Sequence, residues 1–276
     1  MGRKKYINWR QEERVVNSNI GINFIIYIMP FTISHIAAVL PAWKKTPHIF
    51  SFTGLVVGSM APDFEYFIRM TLYGHYGHTM AGIFIFDLPI GILIYILYHG
   101  IVRFQMIRHF PRILYARFSR YMQTDWETYL RDRYARVVVS ILIGIVTHLV
   151  WDGFTHDREY IVAIYLPALL TNIHLAGLTW PLYAFLQTIS SIAGIVILLV
   201  FIYKMPPTTD EPALPPKKLF RYWSYVGLTA GILFVLRWSA GVPNEKIPGQ
   251  IVVISMSAVM LSLVLISLCY NLKKTE

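Results

Sequence analysis

The chain has little of what an ordinary soluble domain is built from. Among its 276 residues there is one cysteine, Cys269, which excludes an internal disulfide and a thiolate-rich zinc site. Charged residues make up 14%, whereas a soluble domain carries about a quarter. No Gly/Ser linker or low-complexity tract divides the chain, and no repeat of fixed period runs through it, so one domain is expected. The sequence has neither HExxH nor GxSxG, which removes the zincin and nucleophile-elbow routes to hydrolysis. No small-residue cleavage site follows an apolar leader, so a cleavable signal peptide is not expected.

What is present instead is apolar length. Apolar residues account for 55% of the chain, and the mean hydropathy is +0.50. A spanning helix needs about 20 predominantly apolar residues. Five runs meet that requirement: Ala81–Val102, Val137–Thr155, Trp180–Tyr203, Tyr222–Gly241 and Gln250–Leu272. A sixth, Ile22–Ala42, is long enough but is interrupted by Pro30 and carries His35. Phe50–Ala61 is too short to cross and reads as a half-helix or re-entrant piece. The expected fold is therefore all-α, a polytopic membrane protein of five to six spans plus short half-helices or interfacial helices.

Net charge is +10, a value that can signal nucleic-acid binding, but its distribution argues for the bilayer as partner. Between the first two strong spans lie Arg103, Arg108, Arg112, Arg117, Arg120, Arg131, Arg133 and Arg136, against Asp125, Glu127 and Asp132. Lys204, Lys217, Lys218 and Arg221 follow the third span, and Lys273 and Lys274 follow the fifth. In an alternating topology these three positions share one side, while the opposite loops hold only Arg158 and Lys246. The positive-inside rule makes the 103–136 loop and the C-terminus cytoplasmic. Met29-Pro30-Phe31-Thr32 reads as a beginning, so residues 1–28 are expected to be an N-terminal extension ahead of a single membrane domain, 29–276.

Ionisable groups inside spans are costly and normally face a cavity or a partner. Here they gather at one level. His148 and Asp152 are four residues apart near the end of the second strong span, on one helical face. With ~1.5 Å rise per residue from Val137, they lie roughly 16 and 22 Å along the helix, in the outer half of a layer about 30 Å thick. His75 and His78 immediately precede the first strong span, at that same face. Asp63 and Glu65 end the short apolar run, and His35 stands in an apolar context. His35, Asp63, His78, His148 and Asp152 thus supply three imidazoles and two carboxylates, a mix suited to zinc or another first-row divalent ion, singly or as a close pair. The metal site is expected within 35–156.

Around this set, His156 lies one turn beyond Asp152, and Tyr183 and Gln187 begin a polar stripe with Ser190 and Ser191. These are expected to touch substrate or support the ligands. Glu65 is the best free carboxylate for a catalytic base. Arg237 could pair with an anionic substrate, or simply reach out to lipid headgroups. Asp87 is a further acid within a span. The bland alternative for His148 and Asp152 is an interhelical hydrogen-bonded pair without metal, and for Asp63 and His78 an interfacial turn.

The segments MPFTISHIAAVLP (29–41), GSMAPDFEYF (58–67), GHT (77–79), HLVWDGFTH (148–156) and PLYAFLQTISS (181–191) together resemble a family of bacterial membrane proteins known as domain of unknown function 4184. The family often has Ser-His where Gly77-His78 stands here. The arrangement is similar to that of inner-membrane metal-dependent hydrolases, themselves likened to zinc phospholipase C. That resemblance implies the bacterial cytoplasmic membrane, carries His35, Asp63, His78, His148 and Asp152 over as ligands, and gives a weak pointer to phosphoester chemistry. The expected function is a metal-dependent membrane hydrolase acting on a lipid or lipid-phosphate substrate at the outer half of the bilayer. The alternative is a transporter or ion-coupled carrier using Asp87, His148 and Asp152, which predicts inverted repeats that the sequence does not display.

Overall fold

The computed structural model describes residues 32–156, 166–175, 178–208, 212–244 and 246–272. The expected extension 1–28, residues 22–31 of the sixth apolar stretch and Arg158 lie outside them. A 3-10 turn, Thr32–His35, leads into α1 (Ile36–Lys45), which contains Pro41. Then come α2 (Phe52–Gly58), a 3-10 turn at Ala61–Asp63 and α3 (Phe64–Arg69). The long helices are α4 (Ile83–Arg108), α7 (Tyr134–Thr155), α8 (Leu182–Lys204), α9 (Pro216–Ser239) and α10 (Ile247–Leu272), each long and apolar enough to cross a membrane. Between α4 and α7 lie two short helices, α5 (Arg112–Phe118) and α6 (Trp126–Asp132). An antiparallel ribbon pairs β1 (Asn172–Leu175) with β2 (Leu178–Pro181), ahead of α8. The five strong spans and the short helix at 50–61 all appear as the hydropathy pattern predicts. The ribbon carries no signature in that pattern.

The centre of the bundle is α7. Val137, Ile141, Gly144, Ile145, His148 and Asp152 form its buried stripe, while Val139, Val146, Val150 and Phe154 are exposed. This is helical periodicity with an apolar outer face, the pattern of a helix that faces lipid. Exposed Val196, Leu199, Leu228, Ile232 and Leu261 extend that outer surface over α8, α9 and α10.

Close approach explains why α2 is short yet firmly placed. A Cβ on Gly58 would stand 2.1 Å from the Ile141 carbonyl oxygen, and one on Gly144 2.5 Å from the Leu55 carbonyl oxygen. Two small residues let the α2 and α7 backbones touch, as small residues do where membrane helices pack. Ser140 adds a polar link: its hydroxyl accepts from the Ser51 N–H at 2.8 Å, and Ser51 itself caps α2 through Gly54 N–H. The outcome is a fixed position for the chain leaving α2, residues 59–63, against the end of α7.

The basic segments gather at one end of the bundle. Arg117 donates to the Tyr203 carbonyl, Arg120 to Pro206 and Arg108 to Pro212, joining the loop after α4 to the loop after α8. Gln105 donates to Asn271 at 2.7 Å, and Asn271 donates to the Ile101 carbonyl at 3.1 Å, bringing the end of α10 to the same level. The α9–α10 pair packs face to face, held near that end by Tyr222 and Ser267 at 3.0 Å.

Candidate metal centre

At the opposite end, the second half of α7 meets the 3-10 turn after α2 and the loop before α4. Asp63, His78, His148 and Asp152 each offer one donor atom there, and these four atoms all lie within 4.8 Å of one another. His78 Nε2 stands 3.3 Å from Asp152 Oδ2 and 3.6 Å from Asp63 Oδ1; His148 Nε2 stands 3.2 and 3.7 Å from the same oxygens. These separations exceed the ~2.7–2.9 Å of a charge-assisted hydrogen bond. They match the edges, of about 3.3–3.6 Å, of a tetrahedron with bonds of about 2.0–2.2 Å around a divalent ion. The four donors are thus spaced so that they could hold a metal ion.

Their support points the same way. His148 Nδ1 lies 2.8 Å from the Ser59 carbonyl oxygen, which can only accept, so Nδ1 carries a proton and Nε2 is the ring nitrogen turned toward the carboxylates. That Nε2 is buried without a hydrogen-bond partner, although buried polar atoms are nearly always satisfied. Asp63 keeps Oδ1 for the cluster because Thr32 donates to Oδ2 at 2.6 Å. Thr32 and the Ser59 carbonyl were not singled out from the sequence. Thr32 lies within MPFTISH, a motif that marked the place, whereas a backbone acceptor leaves no residue-type signal at all.

His78 is held differently. Burial disfavours its charged form, but the neighbouring Asp152 and Asp63 carboxylates outweigh this and raise its pKa above the ordinary value. The local field thus favours a cation. The His78 loop is shaped by Glu65, whose carboxylate accepts from the backbone N–H groups of His75, Tyr76 and Gly77 at 2.8, 2.7 and 2.9 Å, and from Arg69 at 3.0 Å. Burial alone would raise the Glu65 pKa, yet these donors bring it below the usual carboxylate value. Glu65 was expected to be a free base. Both of its oxygens are committed, so in this geometry it positions the loop that carries His78. A Cβ on Gly77 would lie 2.2 Å from the Pro62 carbonyl oxygen, so a serine there would require this turn to shift.

The remaining expected residues divide. His35, 2% exposed, stacks on His148 with ring centroids 4.1 Å apart, and its Nε2 is 3.4 Å from Asp152 Oδ1. His156 Nδ1 is 3.7 Å from the same oxygen, and its Nε2 is 3.4 Å from Gln187 Nε2. Gln187 thus ties α8 to the end of α7, with Tyr183 one turn earlier on α8. Close packing of Gly194 against Ser34, where a Cβ would meet the Ser34 carbonyl oxygen at 2.7 Å, holds α8 beside the His35 turn. Arg237 is not brought to the cluster by any described contact: it donates to the Gly241 carbonyl at 2.7 Å and closes the end of α9. That is a helix-end role, favourable for a cation near a helix C-terminus. Of the other histidines, His75 serves through its backbone, and His109 Nδ1 bonds the Gln105 carbonyl while its ring stacks on Tyr222.

Fold and site together define a polytopic α-helical membrane protein with a buried His/Asp cluster capable of holding a metal ion. The chain belongs to the family described as Domain of unknown function (DUF4184), which matches residues 29–269. No curated protein and no solved structure matches it.

Proposed function

We propose that this chain is a metal-dependent hydrolase of the membrane, acting on a membrane-associated phosphoester or other lipid substrate. The observation that carries the reading is the convergence of four buried or half-buried donor atoms within 4.8 Å, with His148 Nε2 lacking a hydrogen-bond partner. Two imidazoles and two carboxylates suit zinc among the first-row ions. A bound ion would supply Lewis acidity and a water of lowered pKa. The chain's own part is to hold the His148 tautomer through Ser59, to hold Asp63 through Thr32, and to hold the His78 loop through Glu65. Its lipid-facing helices bring a substrate anchored in the bilayer to the level of the cluster.

Orientation follows from charge. The arginine-rich end is the cytoplasmic one by the positive-inside rule, which puts the cluster toward the outer face, in reach of lipid headgroups. The test is turnover by the purified full chain in vesicles containing phosphatidic acid and phosphatidylglycerol, read as released phosphate or phosphorylated headgroup. Activity that depends on added divalent metal and is lost in His148→Ala supports the reading; equal activity with and without metal, unchanged in His148→Ala, overturns it.

One observation favours a second reading, an ion-coupled carrier. Asp87 is fully buried within α4, in a π-helical stretch, and neither of its oxygens has a hydrogen-bond partner. Buried acids in spans are typical of proton and ion paths, and π-bulges recur at functional sites. Solute flux into proteoliposomes that is lost in Asp87→Asn, without lipid turnover, would select this reading.

A further inference from the structure

The two oxygens of Asp152 face different partners. Oδ2 is 3.2 Å from His148 Nε2 and 3.3 Å from His78 Nε2. Oδ1 is 3.4 Å from His35 Nε2 and 3.7 Å from His156 Nδ1. Asp152 Oδ1 and both nitrogens of His35 are buried without any hydrogen-bond partner. His35 and Asp152 are each 2% exposed, so water does not satisfy them from outside. Both separations on the Oδ1 side are too long for charge-assisted hydrogen bonds and suit the edges of a second coordination polyhedron.

The ring stack supplies the spacing. His35 and His148 lie nearly parallel, with centroids 4.1 Å apart and planes inclined by 25°. Each directs its Nε2 toward a different oxygen of one carboxylate. Ions held by two such rings would be separated by about the stacking distance, and paired catalytic metals sit about 3.5–4 Å apart.

We propose that Asp152 bridges two divalent cations, one held by Asp63, His78, His148 and Oδ2, the other by His35, His156 and Oδ1. The inference rests on the metal reading above and deepens it. The first position has four protein donors and is closed. The second has three, and a coordination place left open is the mark of a catalytic rather than a structural zinc site. His156 is the adaptable member: its ring is 30% exposed, and its Nδ1, 3.3 Å from the Asp152 carbonyl oxygen, which can only accept, carries the proton here and must release it to ligate the second ion. Gln187, against the other ring nitrogen of His156, borders the open side. A water or a phosphoryl oxygen therefore binds at the His35/His156 position, beside α8, while the closed position fixes the shared carboxylate.

The test uses the full chain in detergent, stripped with a chelator and equilibrated with cobalt(II) as the probe. Elemental analysis should find two ions per chain, and the electron paramagnetic resonance spectrum should show spin coupling through the shared carboxylate. His35→Gln should retain one ion, magnetically isolated. His156→Ala, at a half-exposed site and so mild for folding, should weaken the second ion about 10–100-fold and leave the first unchanged, a loss of the size seen when metal-supporting groups are removed. One ion in the unaltered chain, two ions without coupling, or a His35→Gln chain that keeps both or loses both would overturn the bridge. A chain that binds no cobalt at all would instead overturn the metal reading on which the bridge depends.

Discussion

At one end of the bundle the long cationic side chains find oxygen partners; at the other, imidazole and carboxylate atoms are buried beside one another with none. Arg108, Arg117 and Arg120 donate to the carbonyl oxygens of Pro212, Tyr203 and Pro206, and Gln105 and Asn271 answer each other. Arg103 gives its two terminal nitrogens to Thr124, leaving only Nε unpartnered. Near α7's far end, His35 Nδ1 and Nε2, His148 Nε2 and Asp152 Oδ1 all lack partners. His99, stacked on Trp126 at the arginine-rich end, also has both ring nitrogens buried without partners, but no carboxylate stands beside it as Asp63 and Asp152 stand beside His78 and His148. Satisfied groups hold loops together, whereas buried imidazole and carboxylate atoms that converge without partners form a set that could hold a metal ion.

The comparison breaks most severely if the backbone contact beneath the cluster is forced apart. Gly58→Val puts side-chain atoms where the Ile141 carbonyl oxygen stands, and should cost about 3 kcal/mol by overpacking. Thermal unfolding in detergent measures it, and a melting temperature equal to that of the unaltered chain would show that α2 does not rest on α7 as described.

Next is Glu65→Gln. The native carboxylate titrates below its ordinary value, so its stabilisation is fully present above the unfolded-state pKa, near 4.5, and fades as pH falls through the lower folded value. At pH 7 the glutamine variant should be less stable by about 1–3 kcal/mol, as for lost hydrogen bonds to a charged group. The two stability curves should converge in acid. A gap that stays constant from pH 7 down to acid would remove the ionised anchor from the account.

Thr32→Val leaves Asp63 Oδ2 without its donor, and metal affinity should fall by about 10-fold, as for other groups that support ligands. Isothermal titration with zinc reads the change; an unaltered affinity would mean that Thr32 serves packing alone. The smallest effect belongs to Arg237→Ala, which removes a helix-end contact and should move stability by less than about 0.5 kcal/mol with metal content unchanged. A loss of metal there would connect α9 to the site and blur the separation of the two ends.

Much of this was legible in the residues themselves. Hydropathy runs located the five long apolar helices found among the described residues, because length and apolarity are properties of the chain alone. The i, i+4 spacing placed His148 and Asp152 on one face, and the charge alternation brought Asp63 and His78 to the same level. What escaped depended on partners that sequence does not label. Glu65 looked free because, apart from Arg69 one turn along, its donors are backbone N–H groups in a loop ten or more residues away. Arg237 looked available because its acceptor is a carbonyl of the following turn. The five candidate ligands read as one set, but the stacking of His35 on His148 divides them across the two oxygens of Asp152.

The most direct measurement is the divalent-metal content of the purified full chain after equilibrium dialysis against zinc, compared with Asp152→Ala. Bound zinc at one or more equivalents per chain, falling at least about 100-fold in affinity when the shared ligand is removed, is the predicted result. A folded chain that retains no zinc, or an Asp152→Ala chain that binds it as tightly as the unaltered protein, would contradict the account.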